Sequence, residues 1–463
     1  MSRASAPPAT TSNQAPRVRM RRVLGVPSLV VFGLAYMVPL TVFTTYGLVT
    51  DMTGGHLPLA YVVTLAAMLF TAYSYGWMVR AHPSAGSAYT YTRRAFGPHA
   101  GFLTGWTLLL DYVFLPMINY LVIGIYLAEA VPAVPAPVWV LASIALVTAL
   151  NVLGITLVNR MNVALLAVQG VFLAVFVVAA LRTVAGDGAP SLTAPFWSAG
   201  TDVSAVLAGS AILCLSFLGF DAVSTLAEEA KDARRTIPRA ILTSALAGGV
   251  LFVVVAWVGH LVLPDHTSFT DVDSASLDVM AAAGGDLLEA FFTAAYVAGC
   301  FASAMASQAG VSRILYAMGR DRVLPRRLFG TLHARHRTPV AAVLAVGLVS
   351  CLALSISLEL AAAMVSFGAL VAFSFVNLSV VKHYLVDSGR RGAGDVVRFG
   401  VLPGTGVLLT LWLWTSLSGT TFAVGLTWIA VGFVYLVGLT RAFRRPVPEL
   451  ALDEVEGAPE PVR

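Results

Sequence analysis

Two acids, Asp111 and Asp221, stand well inside long apolar stretches of this chain. Glu129, Glu228, Glu229, Glu289 and Glu359 fall at or near the ends of such stretches. A carboxylate at mid-membrane costs about 2.5–3.5 kcal/mol on insertion scales, and such residues usually face an interior pathway. No Lys or Arg lies deep in any apolar stretch to neutralise either acid, which argues against a structural salt bridge. Three chemistries stay open: a protonated, hydrogen-bonded acid, a proton carrier, or a counter-ion for a cation. Two acids on one cavity match a ligand with two ammonium groups. Aromatic faces also attract a desolvated ammonium, and Tyr36, Tyr112, Phe217 and Phe220 are close enough in sequence to supply them. For each ring, core or lipid-facing packing is the plainer alternative. Asp221 has its own: following Gly219-Phe220, it could cap a helix start.

The elements that must position these residues are membrane spans. The chain is 58% hydrophobic and 11% charged, against roughly 25% charged for a soluble protein. A span needs about 20 apolar residues. Twelve can be drawn: 27–50, 57–79, 99–129, 138–158, 162–181, 203–227, 239–263, 285–312, 339–357, 360–381, 399–417 and 421–440. Of the 29 Lys and Arg, all but Arg182 fall in the two tails or in every second connection. Short basic loops stay cytoplasmic, so both termini are expected inside. The connection 264–286 carries Asp265, Asp271, Asp273, Asp278 and Asp286 without a base and is expected outside. Residues 1–22 read as a disordered tail and 442–463 as a second tail. The net charge of +5 is spread over these loops, a pattern of topology and headgroup contact rather than of nucleic-acid binding.

Two spans look interrupted. Pro39 stands mid-span in the first, where it removes a backbone donor and clashes with the preceding turn. Gly219 stands beside Asp221 in the sixth. If the first ten spans are two halves of five, these interruptions occupy corresponding positions, the sequence pointer to a transport site between inverted repeats. Taken singly, Pro39 could merely kink a helix and Gly219 merely allow close packing.

The residues resemble a known family. Gly33-Leu34-Ala35-Tyr36 through Pro39 and Thr41-Val42-Phe43, Pro83 through Tyr91, Leu110-Asp111-Tyr112 through Asn119, Ser216 through Val223, Ile237-Pro238-Arg239-Ala240, Ser312-Arg313 through Asp321, and Phe367 through Phe373 are similar to segments of the amino acid–polyamine–organocation transporters, within them the putrescine-importer branch. The likeness covers nearly all of 23–441. It implies an all-α membrane fold of twelve helices: a ten-helix inverted-repeat core (23–382) with spans one and six broken, and two appended helices (383–441). It also implies alternating access around a site walled by spans one, three, six, eight and ten, with Asp111, Asp221, Tyr36, Pro39, Thr41, Tyr112, Phe217, Gly219 and Phe220 as substrate-site candidates. Amino-acid carriers of this kind usually have a glycine-containing break in span one whose amides hold the substrate carboxylate. Here the stretch is Met37-Val38-Pro39-Leu40-Thr41, without glycine, which suits a substrate lacking a carboxylate.

The expectation is a secondary transporter importing a small organic amine, putrescine or a similar polyamine, across a bacterial plasma membrane. The alternative is an amino-acid permease or exchanger on the same scaffold. The resemblance implies proton coupling, but the sequence does not require it. A dication moved through 100 mV gains about 4.6 kcal/mol, more than three decades of accumulation. Glu228 and Glu229, in the run Glu228 to Arg235, suit either a gating contact or a solvated loop. Ser303 and Ser307 suit a cavity wall or, better, a small-residue packing face. Asn119, Asn162, Gln169 and Asn377 are polar residues in spans without an assigned role. Neither HExxH nor other metal spacing appears among the eight His, and no Ser-centred nucleophile motif does. No enzyme, metal or cofactor is expected. Cys214, Cys300 and Cys351 read as packing thiols. Oligomeric state stays open.

Overall fold

The computed structural model describes residues 24–83, 87–153, 158–187, 191–228, 230–320, 323–332 and 338–447. Among them the regular structure is helical apart from one isolated bridge, Leu24 to Ala230. Eleven helical segments are long and apolar enough to cross a membrane.

The first expected span comes in three pieces: α1 (Val26–Met37), a 3-10 segment Pro39–Phe43, and α2 (Tyr46–Met52). Next come α3 (Leu57–Ala81), α4 (Ala88–Phe96), α5 (Pro98–Ala130), α6 (Ala136–Leu153) and α7 (Val158–Asp187). The sixth expected span is α8 (Val203–Ile212) continued by 3-10 segments Leu213–Phe217 and Ala222–Glu228. Then follow α9 (Ala233–Val262), α10 (Ala275–Arg320), α11 (Arg326–Phe329), α12 (Val340–Ser350), α13 (Leu358–Val381), α14 (Ala393–Val396), α15 (Leu402–Thr415) and α16 (Gly419–Leu439).

Three details differ from the sequence expectation. The ninth span, drawn as 339–357, is a shorter apolar helix, Val340–Leu354. It starts behind Pro339, and the chain turns at 355–357, where the Ser357 hydroxyl accepts from Leu360 N and caps α13. The acidic connection 264–286 contains a helix: α10 begins at Ala275 and is kinked at Gly284 and Gly285, the latter at φ 66°. Ala275, Val279, Met280 and Ala283 give its first part a buried face. The part of span six after Gly219 is 3-10 rather than α-helical.

The interior is organised around a few long pairings. α3 lies along α9, and α5 is held between α13 and α10. α10 also packs on α7, and α1 on α9. Aromatic side chains fill the layers between: Phe43 meets Phe292, Phe176 and Phe172 at centroid distances of 5.1, 5.6 and 6.3 Å.

Candidate functional site

The interruption of span one follows from its sequence. Proline lacks an N–H and clashes with the carbonyl four residues back, and it pushes its predecessor out of the α region. That predecessor is Val38, which sits at φ 50°, ψ 95°. A β-branched residue at positive φ is an outlier that persists only where its surroundings enforce it. The side chain of Thr41 then donates to the Met37 carbonyl at 3.1 Å. The Phe43 carbonyl accepts from Ser276 Oγ at 3.1 Å and Tyr126 Oη at 3.5 Å. Non-helical backbone at membrane depth is tolerated when protein groups satisfy it in this way.

Span six breaks against span one. Leu218 leaves the helical region and Gly219 takes φ 127°. A Cβ on Gly219 would lie 2.8 Å from Met37 N and 2.9 Å from the Tyr36 carbonyl carbon. Both the dihedral and the space demand glycine here. Asp221 Oδ1 accepts from Gly219 N at 3.1 Å. Upstream, Ser366 Oγ donates to the Ile212 carbonyl at 2.7 Å, and Tyr61 Oη lies 3.2 Å from Ser216 Oγ.

Asp111 lies on α5 where α13 presses closest. A Cβ on Gly368 would meet Thr107 O at 3.0 Å and Asp111 N at 3.3 Å. Asp111 is 7% exposed, and none of the described residues hydrogen-bonds its carboxyl. The two acids lie within electrostatic reach of each other, and the Tyr75 hydroxyl lies within reach of both, of Tyr91 and of Tyr112. Such a pair repels unless a cation or proton intervenes. Tyr75 meets Tyr91, Phe220 and Phe373 edge-on at 5.9, 6.0 and 6.1 Å, and Phe220 lies 5.4 Å from Phe373. The ion pairs among the described residues, Arg235–Asp232 and Lys382–Asp387, involve neither acid.

A cavity of about 60 Å³ opens beside the breaks. Tyr36 to Val38, Leu40, Thr41 and Thr44 line it from the first span; Leu115, Ile118 and Asn119 from α5; Gln169 from α7; Leu215 and Leu218 from the sixth span; and Tyr296, Gly299, Cys300 and Ser303 from α10. Neither acid is among these. Each stands about one turn from a lining leucine, Asp111 before Leu115 and Asp221 after Leu218.

The sequence candidates therefore separate. Tyr36, Thr41 and Ser303 line the cavity, and Ser303 Oγ accepts from Asn119 Nδ2 at 3.1 Å. Asp111, Asp221 and Phe220 lie near Tyr75 and do not line the cavity. Tyr112, part-buried, packs among core side chains near them. Pro39 and Gly219 shape the breaks without lining the cavity. Phe217 is fully buried against Phe252 at 5.6 Å, in the core. Ser307 Oγ is turned to its own helix, donating to Ser303 O at 2.7 Å. Glu228 ends the last 3-10 segment of span six, and Glu229 lies outside the described residues. Sequence reasoning singled out Asn119 and Gln169 without a role. It quoted Phe373 only within a family-resemblance segment and passed over Tyr75, Thr44 and Tyr296, which carry no signal in a chain that buries aromatics throughout.

Apolar helices, two of them interrupted where they touch, a cavity at the interruption and two nearby acids outside every ion pair among the described residues define a multi-span membrane transporter. The chain belongs to the amino acid permease family, whose sequence model matches residues 28–441. It is 42% identical over 437 residues to the low-affinity putrescine importer PlaP of Escherichia coli strain K12, covering 94% of this chain and 97% of that one. It is 28% identical over 440 residues to the branched-chain amino acid permease BcaP of Bacillus subtilis strain 168, covering 90% of this chain and 92% of that one. To the methylthioribose transporter of the same Bacillus strain it is 26% identical over 451 residues, 91% and 94% of the two chains. These relatives are named as transporters and permeases, not enzymes.

Proposed function

We propose that this protein imports a small organic dication of the putrescine class across a bacterial plasma membrane by alternating access. The observation that carries the reading is the pair of buried Asp111 and half-buried Asp221, within electrostatic reach of each other and in no ion pair among the described residues. A diamine supplies the missing positive charge, and Tyr75, Phe220 and Phe373 give it aromatic surroundings. The identity to a putrescine importer over 94% of the chain supports the same substrate class. An α-amino acid is less favoured: Pro39 has no amide for a carboxylate, and the cavity lining carries no basic side chain.

The proposal includes twelve spans, five plus five in inverted repeat with two appended, the short Val340–Leu354 helix counting as the ninth. The pairings of the helices support it. α3 with α9 and α5 with α10 are the second and third helices of each half meeting their counterparts. α5 on α13 is mirrored by α10 on α7, the third helix of one half on the fifth of the other. Both termini are placed in the cytoplasm by the distribution of Lys and Arg, and the proton is proposed as coupling ion.

The test is uptake into proteoliposomes of radiolabelled putrescine, spermidine, lysine and alanine. Putrescine is expected to accumulate; carriage of a neutral amino acid alone would overturn the reading.

A further inference from the structure

The cavity is mostly apolar, and the polar groups that interrupt its lining are all neutral. None of its lining residues is charged; Thr41, Thr44, Asn119, Gln169, Tyr296 and Ser303 are the polar ones among them, with Thr41 bonded to Met37 O and Thr44 to Tyr296. Asn119 donates through Nδ2 to Leu115 O at 2.9 Å and to Ser303 Oγ at 3.1 Å. A backbone carbonyl can only accept, so this contact fixes the amide nitrogen there, and no hydrogen bond reaches the Asn119 carbonyl oxygen among the described residues. Gln169 is 6% exposed, and its Oε1 has no hydrogen-bond partner. No hydrogen bond ties its Nε2 among the described residues either, so the terminal amide can turn about its last, roughly two-fold torsion. Gly299 faces it: a Cβ there would stand 3.2 Å from Nε2. A buried amide left unpaired forfeits hydrogen bonding that water would supply, so such a group is informative when it borders a cavity.

Between this polar end and the acids the lining is apolar. Asp111, Leu115, Ile118 and Asn119 fall at helical spacings that share one stripe of α5, with Leu115 and Ile118 in the middle. From position 111 to 119 the helix rises about 12 Å at about 1.5 Å per residue. An extended butane-1,4-diamine places its nitrogens about 6 Å apart, and a hydrogen bond of about 2.8 Å at each end brings the span between partner atoms to about 12 Å.

We infer that the site has two unlike poles: the acids take one ammonium, and the cavity beside the span-one break takes the second on neutral carbonyl oxygens, with Gln169 of α7 as the acceptor that distinguishes a diamine from a monoamine. This rests on the amine-import reading and adds a wall, the fifth span, that the family resemblance did not assign to the substrate. Leu115 and Leu218 cover the methylenes. A monoamine of the same length fills the acid pole and the apolar strip but leaves the carbonyl pole unpaired.

The inference is tested by competition of butane-1,4-diamine and butylamine against labelled putrescine in proteoliposomes, read as the ratio of their inhibition constants. The wild type should favour the diamine. Gln169→Leu should reduce that preference by about tenfold to a hundredfold, the value of one hydrogen bond to a charged group. Gln169→Glu should increase it, and this variant decides the matter if the leucine form does not fold. An unchanged ratio in either folded variant, or a wild type indifferent to the second amine, overturns the two-pole site while leaving amine import standing. A wild type that neither carries putrescine nor binds either amine sinks the parent reading.

Discussion

Asp111 and Asp221 share a charge type and differ in what else they do. Asp111 has no hydrogen-bonding neighbour among the described residues, so its value to the fold is small or negative: an unpaired buried charge destabilises. Asp111→Asn should therefore leave insertion and thermal stability in detergent intact or raised, while uptake falls at least tenfold. Asp221 also accepts from Gly219 N, so capping and charge must be separated. Asparagine keeps an acceptor at that position and removes the charge; leucine removes both. Capping alone predicts normal uptake in Asp221→Asn, whereas a cation site predicts a loss of at least tenfold with stability retained. Leucine should add about 1 kcal/mol of destabilisation, read as a lower melting temperature. Both acids were legible in the sequence because a carboxylate in an apolar span is rare. Their neighbours were not: Tyr75 and Phe373 look like any of the aromatics in the core, and only the helix pairings bring them to the acids. Gln169 stood out as an amide in a span, but its emptiness is visible only once its surroundings are known.

At the level of elements, the two interruptions were legible for different reasons. Pro39 enforces its break through its ring and its effect on Val38. Gly219 permits one, and the need for it lies 182 residues away in sequence at Met37, which no local pattern encodes. The 3-10 character after Gly219, the kink at Gly284 and Gly285, and the shortness of Val340–Leu354 escaped the hydropathy pattern because apolar periodicity does not register backbone conformation: the kink lies at a glycine pair, and the short helix is bounded by Pro339 and the turn capped by Ser357. Two substitutions separate enforcing from permitting. Pro39→Ala restores a backbone donor and lets Val38 relax from positive φ, so melting temperature should rise, by the equivalent of about 1–3 kcal/mol of released strain, while uptake falls. Gly219→Ala should do the opposite to stability: its Cβ would enter the backbone of Tyr36 and Met37, lowering both melting temperature and uptake. An uptake rate in Pro39→Ala equal to wild type would mean that the break is only a kink.

For the whole molecule, the confinement of Lys and Arg to alternate connections bears on energetics as well as topology. With no base in the core, two carboxylates and a dication make a loaded site of no net charge, so the loaded carrier reorients without moving charge through the field. The return of the empty carrier, if both acids are ionised, then moves two negative charges outward under an inside-negative potential, which favours it. If each acid takes a proton for the return, the cycle becomes an exchange of protons for dication and its charge movement cancels. If protons enter with the substrate instead, the loaded carrier becomes positive and uptake gains from both gradients. These cycles differ measurably. In vesicles with potassium and valinomycin setting the potential and pH equal on both sides, a charge-carrying cycle predicts steady accumulation rising by more than three decades per 100 mV for a dication moved alone. Proton symport predicts a steeper rise, together with stimulation by external acid at fixed potential. Proton exchange predicts accumulation indifferent to potential and favoured by internal acid. The proposal of the proton as coupling ion is met by the second or the third pattern, and the first would remove it while leaving the diamine site in place.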